Sequence, residues 1–263
     1  MVKFCSLYSG SSGNSIFIGT EKTKILIDAG LSYKKIVQAL TSIGESPENL
    51  NAVLITHEHS DHIKGIGVLA KKLDIPIYAN EMTWNAIKVQ REMIKPCNVR
   101  YFTSENGFEL GDMWIVPFMI PHDAAEPVGF NFHIGSKKIT TATDIGHMTR
   151  KILDCFTGSD FLLLESNHDV EMLRVGKYPW FLKQRILGEK GHLSNEMAGK
   201  VVSWMAEHGT SRFCLGHLSR ENNFPELAYQ TVSNALLEKN IIAGRDVLLD
   251  VALRDKVGNI VEL

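Results

Sequence analysis

The sequence predicts a layered α/β fold, with two sheets inside and helices outside. Short apolar runs alternate with amphipathic segments along the 263 residues. Strand-like runs come in groups, separated by helices, in both halves of the chain, which is typical of layered α/β architectures. Short turns between the first strands indicate hairpins and argue against a purely parallel sheet. No linker rich in Pro, Gly or Ser interrupts the chain, so we expect one domain over residues 1–263.

In the first half, three strands are expected before the first helix, at 2–7, 15–18 and 24–27. Ser32 is a good N-cap for the helix that follows. The apolar positions of that helix recur at helical spacing, at Ile36, Val37, Leu40 and Ile43. A short apolar strand at 52–56 then leads into a helix over 63–73.

The second half repeats this alternation. Its strands are expected at 114–120, 129–134, 138–143, 161–164 and 212–215. Ser194 is placed to cap a helix with Glu196 in its first turn and with Met197, Val201 and Met205 on one face. A last helix is predicted over 225–237.

Candidate functional side chains stand directly after these strands. They are Asp28, His57, His122, Asp144, Glu165 and His217. Ligand sites of open α/β sheets lie beyond the carboxyl ends of strands. We therefore expect these residues to converge on one edge of the sheets.

The strongest motif is the segment 56–62, Thr-His-Glu-His-Ser-Asp-His, which holds three imidazoles and an aspartate. Histidine is the commonest metal ligand, and aspartate is a hard oxygen donor. On a strand-to-helix turn, His57 and His59 can share one ion while Asp61 and His62 face a second. A His-rich surface loop or a structural zinc site are the alternatives, but structural zinc sites usually employ thiolates and no cysteine is nearby.

Three further residues complete a two-metal set. His57, His59 and His122 are expected to hold one ion. Asp61, His62 and His217 are expected to hold the other, with Asp144 as the bridge. Such donors suit two divalent ions of zinc, manganese or iron.

With these residues, the sequence resembles the metallo-β-lactamase superfamily, whose HxHxDH motif is followed by a His, a bridging Asp and a last His. The resemblance implies a four-layer αββα sandwich with a dinuclear metal site at one edge, and it assigns Asp28 to support of the metal loop. Segments 9–15, 165–167 and 191–195 are most similar to the YycJ/WalJ group of bacterial nuclease-like proteins. That group is associated with 5′→3′ exonuclease activity on DNA.

The resemblance also implies a mechanism for a dinuclear-metal phosphodiesterase, in which Asp61 and Asp144 position a metal-bridging hydroxide. Glu165 and His192 resemble an acid pair of the phosphodiesterase branches, in which the glutamate orients the histidine and the histidine protonates the leaving oxygen. The alternative interpretation is that these two residues only cap helices.

The stretch 174–185 mixes cations with aromatic residues, a pattern typical of single-strand nucleic-acid binding. Lys177, Lys183 and Arg185 are candidate phosphate contacts. For Trp180 and Phe181, the favoured interpretation is packing in the core beside a solvated, charged helix face.

Composition and charge limit the substrates, the disulfides and the cellular compartment that we expect. The formal net charge of -2 provides no global attraction to nucleic acid or anionic lipid, so a polyanionic substrate needs a local patch or bound metal. The four cysteines form no CxxC pair, which favours scattered thiols over a disulfide framework. No signal peptide or membrane-length apolar run is present, so we expect a cytoplasmic protein with no membrane partner.

The expected substrate is single-stranded or end-bearing DNA, and two alternatives stay open. A small-molecule phosphodiesterase, acting on a cyclic nucleotide or sugar phosphate, would employ the same metals. A thioester or lactam hydrolase would share the metals without needing Glu165 and His192. A non-catalytic binding module is disfavoured by the complete ligand set, and a flavodiiron oxidoreductase by His59, which replaces the Glu of that family's pattern.

Overall fold

A computed structural model of the protein describes residues 1–263. The strands are β1 Lys3–Tyr8, β2 Ser15–Gly19, β3 Lys24–Ile27, β4 Ala52–Leu54, β5 Ile77–Ala79, β6 Val99–Tyr101, β7 Phe108–Leu110, β8 Met113–Met119, β9 Val128–Ile134, β10 Lys137–Ala142, β11 Phe161–Glu165, β12 Arg212–Gly216, β13 Leu248–Val251 and β14 Val261–Glu262. The α-helices are α1 Tyr33–Ser42, α2 Ser60–Ile63, α3 Ile66–Leu73, α4 Glu81–Ala86, α5 Val89–Glu92, α6 Arg150–Phe156, α7 Val170–Val175, α8 Trp180–Leu187, α9 Asn195–Glu207 and α10 Pro225–Leu237. Two 3₁₀ helices span Pro47–Asn49 and Pro96–Asn98.

The strands form two mixed seven-stranded sheets, which confirms the predicted α/β fold class. The order in the first sheet is β14-β1-β2-β3-β4-β5-β6. Strands β1, β2 and β3 pair antiparallel, as the short turns between them predicted. From β3 to β6 the pairing is parallel, and this parallel part contains the strand ends that precede the first candidate ligands.

In the second sheet the order is β13-β12-β11-β10-β9-β8-β7. Strands β10, β11, β12 and β13 are parallel neighbours. Strand β9 returns antiparallel to β10 through the turn at Gly135. The carboxyl ends of β10, β11 and β12 therefore lie side by side at one edge.

By its internal packing the chain divides into two compact units. The first comprises Met1–Pro117, Ala124–Val128 and Leu253–Leu263, and the second comprises Phe118–Asp123 and Gly129–Ala252. Each has an apolar core of its own: Phe17, Leu26, Val53 and Trp84 are buried in the first, and Phe156, Leu164, Val202 and Leu215 in the second. The single domain expected over 1–263 stays a prediction.

Two helix caps follow the sequence prediction closely. The Ser32 side chain accepts from the Lys35 N–H at the start of α1. At the start of α9, the Ser194 hydroxyl accepts from the Met197 N–H, although Met197 itself is half exposed and only Val201 and Met205 on that face are buried.

The helix expected over 63–73 is in fact two helices, and the prediction of one continuous helix is wrong. Close backbone contacts at Gly65 explain why the helix is interrupted between α2 and α3. The Gly65 N–H donates to the Ala29 carbonyl at 2.7 Å, instead of continuing a helical ladder. A Cβ on Gly65 would lie 2.0 Å from the Leu31 carbonyl oxygen, so only glycine fits this close approach.

Several short elements give no clear sequence signal and were not predicted. They include the strands β5, β6, β7, β13 and β14 and the helices α4 to α7. No helix of the structure combines the length and apolar character needed to cross a membrane.

Candidate metal centre

The first cluster of candidate ligands lies at the ends of β3 and β4, which are parallel neighbours in register at Ile27 and Leu54. Asp28 follows β3 directly, with a left-handed backbone at φ 60. Its carboxylate accepts from the Thr56 N–H at 2.9 Å and from the Thr56 hydroxyl at 2.8 Å. Because these bonds join the two strand ends, Asp28 fixes the loop that carries the motif.

The HxHxDH motif occupies the turn from β4 into α2, as its chemistry required. His59 is the N-cap of α2, so His57 and His59 precede the helix while Asp61 and His62 lie in its only turn. The ring centroid of His57 lies 4.6 Å from that of His59 and 4.1 Å from that of His62. Asp61 Oδ2 is 3.6 Å from His62 Nε2. The four proposed ligands of this unit thus form one tight group.

Neighbouring side chains hold two of these imidazoles through their Nδ1 atoms. His62 Nδ1 lies 2.7 Å from Asp28 Oδ2, and His57 Nδ1 lies 3.0 Å from the Thr56 hydroxyl. A histidine that donates to a carboxylate through Nδ1 has its lone pair on Nε2, which is the usual arrangement of a metal-binding histidine. Asp28 therefore positions the loop that carries the motif, and its support of a metal site stays a prediction.

Asn14 was not predicted as a site residue, although it lies in the segment 9–15 that resembles the YycJ/WalJ group. Its amide oxygen accepts from the Gly10 N–H at 2.8 Å, which points Asn14 Nδ2 toward His62 Nε2 at 3.0 Å and Asp61 Oδ2 at 3.3 Å. The Asn14 backbone N–H also donates to the Asp61 carbonyl at 2.7 Å. The glycine-rich turn thus positions an amide against the motif.

The second cluster lies at the ends of β10, β11 and β12. Asp144 follows β10, Glu165 is the last residue of β11, and His217 follows β12. Asp144 and His217 have left-handed backbones, at φ 61 and 57. Left-handed residues other than glycine carry a conformational cost and concentrate at functional sites. Three of the predicted site residues, counting Asp28 in the first unit, share this feature.

Glu165 is fully buried and organises the second cluster. Its Oε1 lies 2.8 Å from His192 Nδ1 and 2.7 Å from His217 Nδ1. Its Oε2 accepts from the Ile145 N–H at 2.8 Å and the Leu193 N–H at 3.1 Å. Burial alone would raise the pKa of Glu165, but His192 and His217 outweigh it and hold the pKa below its ordinary value. The side chain is therefore a carboxylate that accepts from both rings.

His122 belongs to the same unit and is nearly inaccessible to solvent. Its Nδ1 lies 3.2 Å from the Gly191 carbonyl, and its Nε2 lies 3.7 Å from Asp144 Oδ1. Burial lowers the pKa of His122, although the nearby Asp144 carboxylate opposes this. A lowered pKa keeps the imidazole neutral, which is the form that binds metal.

Histidine and aspartate donors are present in both units, and those of the second unit lie close enough together to hold a metal ion. Possible ligand atoms of Asp144, Glu165, His192 and His217 lie within 4.8 Å of one another. Each unit also pairs a buried carboxylate with the Nδ1 of a proposed histidine ligand, Asp28 with His62 and Glu165 with His217. Both clusters have the His and Asp composition typical of the dinuclear site of metallo-β-lactamase-fold proteins.

A group of buried amides behind the second cluster was also missed by the sequence analysis. Asn167 Nδ2 donates to the His217 carbonyl at 2.8 Å. Asn223 Nδ2 lies within 3.0 Å of the carbonyl oxygens of Ser166 and Asn167 and of Asn195 Oδ1. These bonds tie the loops after β11 and β12 to the start of α9. Their sequence signal was that Ser166, Asn167 and Asn195 lie in two of the segments that resemble the YycJ/WalJ group.

Next to this network, His168 is buried and neither ring nitrogen has a hydrogen-bond partner. Burial lowers the pKa of His168 to about 4, so the ring is neutral at physiological pH.

The stretch 174–185 differs from expectation in two respects. Trp180 and Phe181 are exposed, so the prediction that they pack in the core is wrong; the inward face of the short helix α8 is formed instead by Lys183 and Ile186. Lys183 is buried and its ammonium donates to the Arg174 carbonyl at 2.7 Å, so a phosphate contact for Lys183 is wrong as well. The Lys183 ammonium thus caps a backbone carbonyl in the last turn of α7.

The two remaining candidate phosphate contacts are both exposed. Arg185 Nε lies 2.5 Å from Asp123 Oδ2, so its charge is already balanced by a carboxylate. Lys177 lies at the surface between α7 and α8. Of the three, Lys177 is the candidate that the structure leaves best placed for an anion.

Two mixed sheets, helices, and histidine–carboxylate clusters at the strand ends define a metal-dependent hydrolase of the metallo-β-lactamase fold. The family profile described as "Beta-lactamase superfamily domain" matches residues 23–218. The chain therefore belongs to the metallo-β-lactamase superfamily, as the motif predicted.

Similar proteins agree with this assignment along nearly the whole chain. "Exodeoxyribonuclease WalJ" of Streptococcus pneumoniae serotype 2 (strain D39 / NCTC 7466) is 44% identical over 246 residues, covering 93% of this chain and 91% of that protein. "Exodeoxyribonuclease YycJ" of Bacillus anthracis is 42% identical over 241 residues, covering 92% and 91%. Among solved structures, Zn²⁺-bound PqqB from Methylobacterium extorquens has a TM-score of 0.72 at 18% identity, covering 99% of this chain and 100% of that one. This last likeness concerns the fold alone.

Proposed function

We propose that this protein is a metal-dependent 5′→3′ DNA exonuclease. The observation that carries the proposal is the likeness, over nine-tenths of both chains, to proteins described as exodeoxyribonucleases. Net charge and composition do not select this substrate, so the assignment depends on the relatives and on the chemistry of the site.

The proposed ligands are those expected from the sequence. His57, His59 and His122 would hold one divalent ion. Asp61, His62 and His217 would hold the other, with Asp144 shared. When bound, two such ions supply positive charge for the phosphodiester oxygens and a nucleophilic water at neutral pH.

The Glu165–His192 pair supports phosphodiester cleavage. Because Glu165 Oε1 accepts from His192 Nδ1, a proton on His192 Nε2 is directed away from the glutamate. The His192 side chain keeps 19% of its surface accessible, whereas Glu165 has none. We assign His192 as the group that protonates the leaving oxygen and Glu165 as the group that orients it and stabilises its charged form.

Incubation with end-labelled single-stranded DNA tests this function. We expect the metal-replete protein to shorten the strand progressively from the 5′ end. A variant carrying Asp61→Ala and His62→Ala is expected to leave the DNA intact, since it lacks two ligands. Turnover of a small phosphodiester with no digestion of DNA would refute the exonuclease and favour a small-molecule phosphodiesterase.

A further inference from the structure

An exposed aromatic pair stands at the start of α8. Trp180 is 68% exposed and Phe181 is 72% exposed, and Val175 nearby is 84% exposed. The opposite side of α8 is anchored by Lys183 and Ile186, so the helix is held firmly while its first two rings face solvent. Adjacent exposed rings on an anchored helix are typical of a binding surface.

The segment around these rings has more basic than acidic side chains, in contrast to the chain as a whole, although Arg174 is paired with Glu171. Residues 170–191 contain five basic and two acidic side chains, whereas the complete chain has a net charge of -2. Since Arg174, Lys183 and Arg185 are engaged within the protein, the exposed Lys177, three residues before Trp180, is the nearest remaining cation along the sequence. Exposed rings beside a cation suit a polyanion that carries aromatic groups.

The same helix is joined to the proposed general acid. The Ile186 carbonyl, near the end of α8, accepts from the His192 N–H at 3.0 Å. Trp180 lies six residues earlier, which is about 9 Å along a helix axis. Successive stacked nucleotides of one strand are about 3.4 Å apart. The distance from the aromatic pair to the His192 loop therefore corresponds to a few nucleotides.

We propose that Trp180 and Phe181 form a stacking surface for unpaired bases of a single-stranded DNA substrate. Lys177 contacts the phosphate backbone beside them. This inference rests on the proposed exonuclease function and names the form of DNA that the site takes. Stacking is insensitive to base identity, so the surface suits an enzyme that digests any sequence.

Binding of a fluorescent twelve-nucleotide oligo-dT tests the proposal, with all variants made in the metal-replete His192→Ala protein so that the strand survives. We expect Trp180→Ala, Phe181→Ala to weaken binding by roughly tenfold or more, since each stacked base contributes measurably. Trp180→Phe is expected to restore most of the affinity lost at that position. Trp114→Ala is the matched control, because Trp114 is an exposed tryptophan on β8, and it should leave binding unchanged.

A second measurement separates binding from folding. With His192 intact, we expect the double variant to hydrolyse bis-p-nitrophenyl phosphate, which is too small to span the two sites, at the wild-type rate. Equal losses on this diester and on DNA would mean that the rings have only a structural role. Two results would overturn the proposal by assigning the rings to another partner. One is a wild-type protein that is dimeric and a double variant that is monomeric; the other is binding to anionic vesicles that the double substitution abolishes.

The two proposals fail differently. If the wild-type protein digests single-stranded DNA and the double variant binds and digests it equally well, only the stacking surface is wrong. If the wild-type protein neither binds nor digests DNA with zinc, manganese or iron, the exonuclease function is wrong and the stacking surface is lost with it.

Discussion

Glu165 Oε1 lies 2.8 Å from His192 Nδ1, and the same oxygen lies 2.7 Å from His217 Nδ1. One buried carboxylate therefore orients both a proposed general acid and a proposed metal ligand. Because its other oxygen accepts from two backbone N–H groups, Glu165 cannot turn away from either ring without leaving a buried donor unpaired.

Replacing the proposed acid should separate chemistry from metal binding. We expect His192→Ala to lower kcat on single-stranded DNA by about 10²–10⁴-fold, the usual contribution of a general acid, while bound metal stays at the wild-type level. His208→Ala is the control, since His208 ends α9 with its Nδ1 near the Trp204 carbonyl. Steady-state kinetics with metal analysis decides the matter. An unchanged kcat would remove His192 from the chemistry.

Asp28 should act through the metal loop. Asp28→Asn keeps a residue type that tolerates the left-handed backbone but removes the charge facing His62. We expect metal affinity to fall by about 10–100-fold, as is usual when a partner of a ligand is changed. Asp74→Asn is a matched control because Asp74 is also left-handed, at φ 54, but is exposed at the end of α3. Metal titration that finds both variants equal to wild type would contradict this role.

The close packing around the motif predicts a strong effect at Gly30. A Cβ there would lie 1.6 Å from the Asp61 carbonyl oxygen, whereas a Cβ on Gly44 has nothing within 4 Å. We expect Gly30→Ala to displace helix α2 at Asp61, abolish metal binding and cost roughly 1–3 kcal/mol of stability. Gly44→Ala should cost about 1–2 kcal/mol through its positive φ alone and keep its metal. Thermal melts paired with metal analysis compare them, and full metal content in Gly30→Ala would show that the loop tolerates the change.

Two lysines of the stretch 174–185 should behave oppositely. Lys183→Ala removes the donor to the Arg174 carbonyl and should lower the free energy of unfolding by roughly 1–3 kcal/mol, with the salt dependence of DNA binding unchanged. Lys177→Ala should leave stability unchanged and reduce the slope of log K against log salt by about 0.7, the value for one contact to a single strand. Denaturant melts and binding at several salt concentrations measure both. If Lys183→Ala instead reduced the salt dependence and Lys177→Ala lowered the stability, Lys183 would be the lysine that contacts phosphate.

The positions of the candidate residues at strand ends could be predicted because they follow from a simple rule of α/β folds. Asp28 stands just beyond a strand of the first sheet, and Asp144 and His217 stand just beyond strands of the second. Within each sheet, parallel neighbours bring such ends together. The motif at 57–62 likewise needed a strand-to-helix turn, and β4 and α2 provide one. The family resemblance added the role of Glu165 and His192, which residue spacing alone left open.

The parts that were missed depend on contacts between distant segments. Asn14 and Asn223 are ordinary turn residues in sequence. Only the folded loops bring the Asn14 amide to the motif and the Asn223 amide to the carbonyl oxygens of the loop after β11. Two adjacent aromatics on an eight-residue helix define no apolar face, so the exposure of Trp180 and Phe181 could not be read from periodicity. The burial of Lys183 reflects a carbonyl at the end of a neighbouring helix that was itself not predicted.

The central claim is that two divalent ions support the digestion of DNA. Its most direct test titrates zinc, manganese or iron into chelator-treated protein and measures, in the same samples, metal per chain by mass spectrometry and the rate of release of nucleotides from 5′-labelled single-stranded DNA. We predict no activity without metal and a rate that reaches its maximum at two ions per chain. Full activity in the metal-free protein, or saturation at a single ion, would contradict the account.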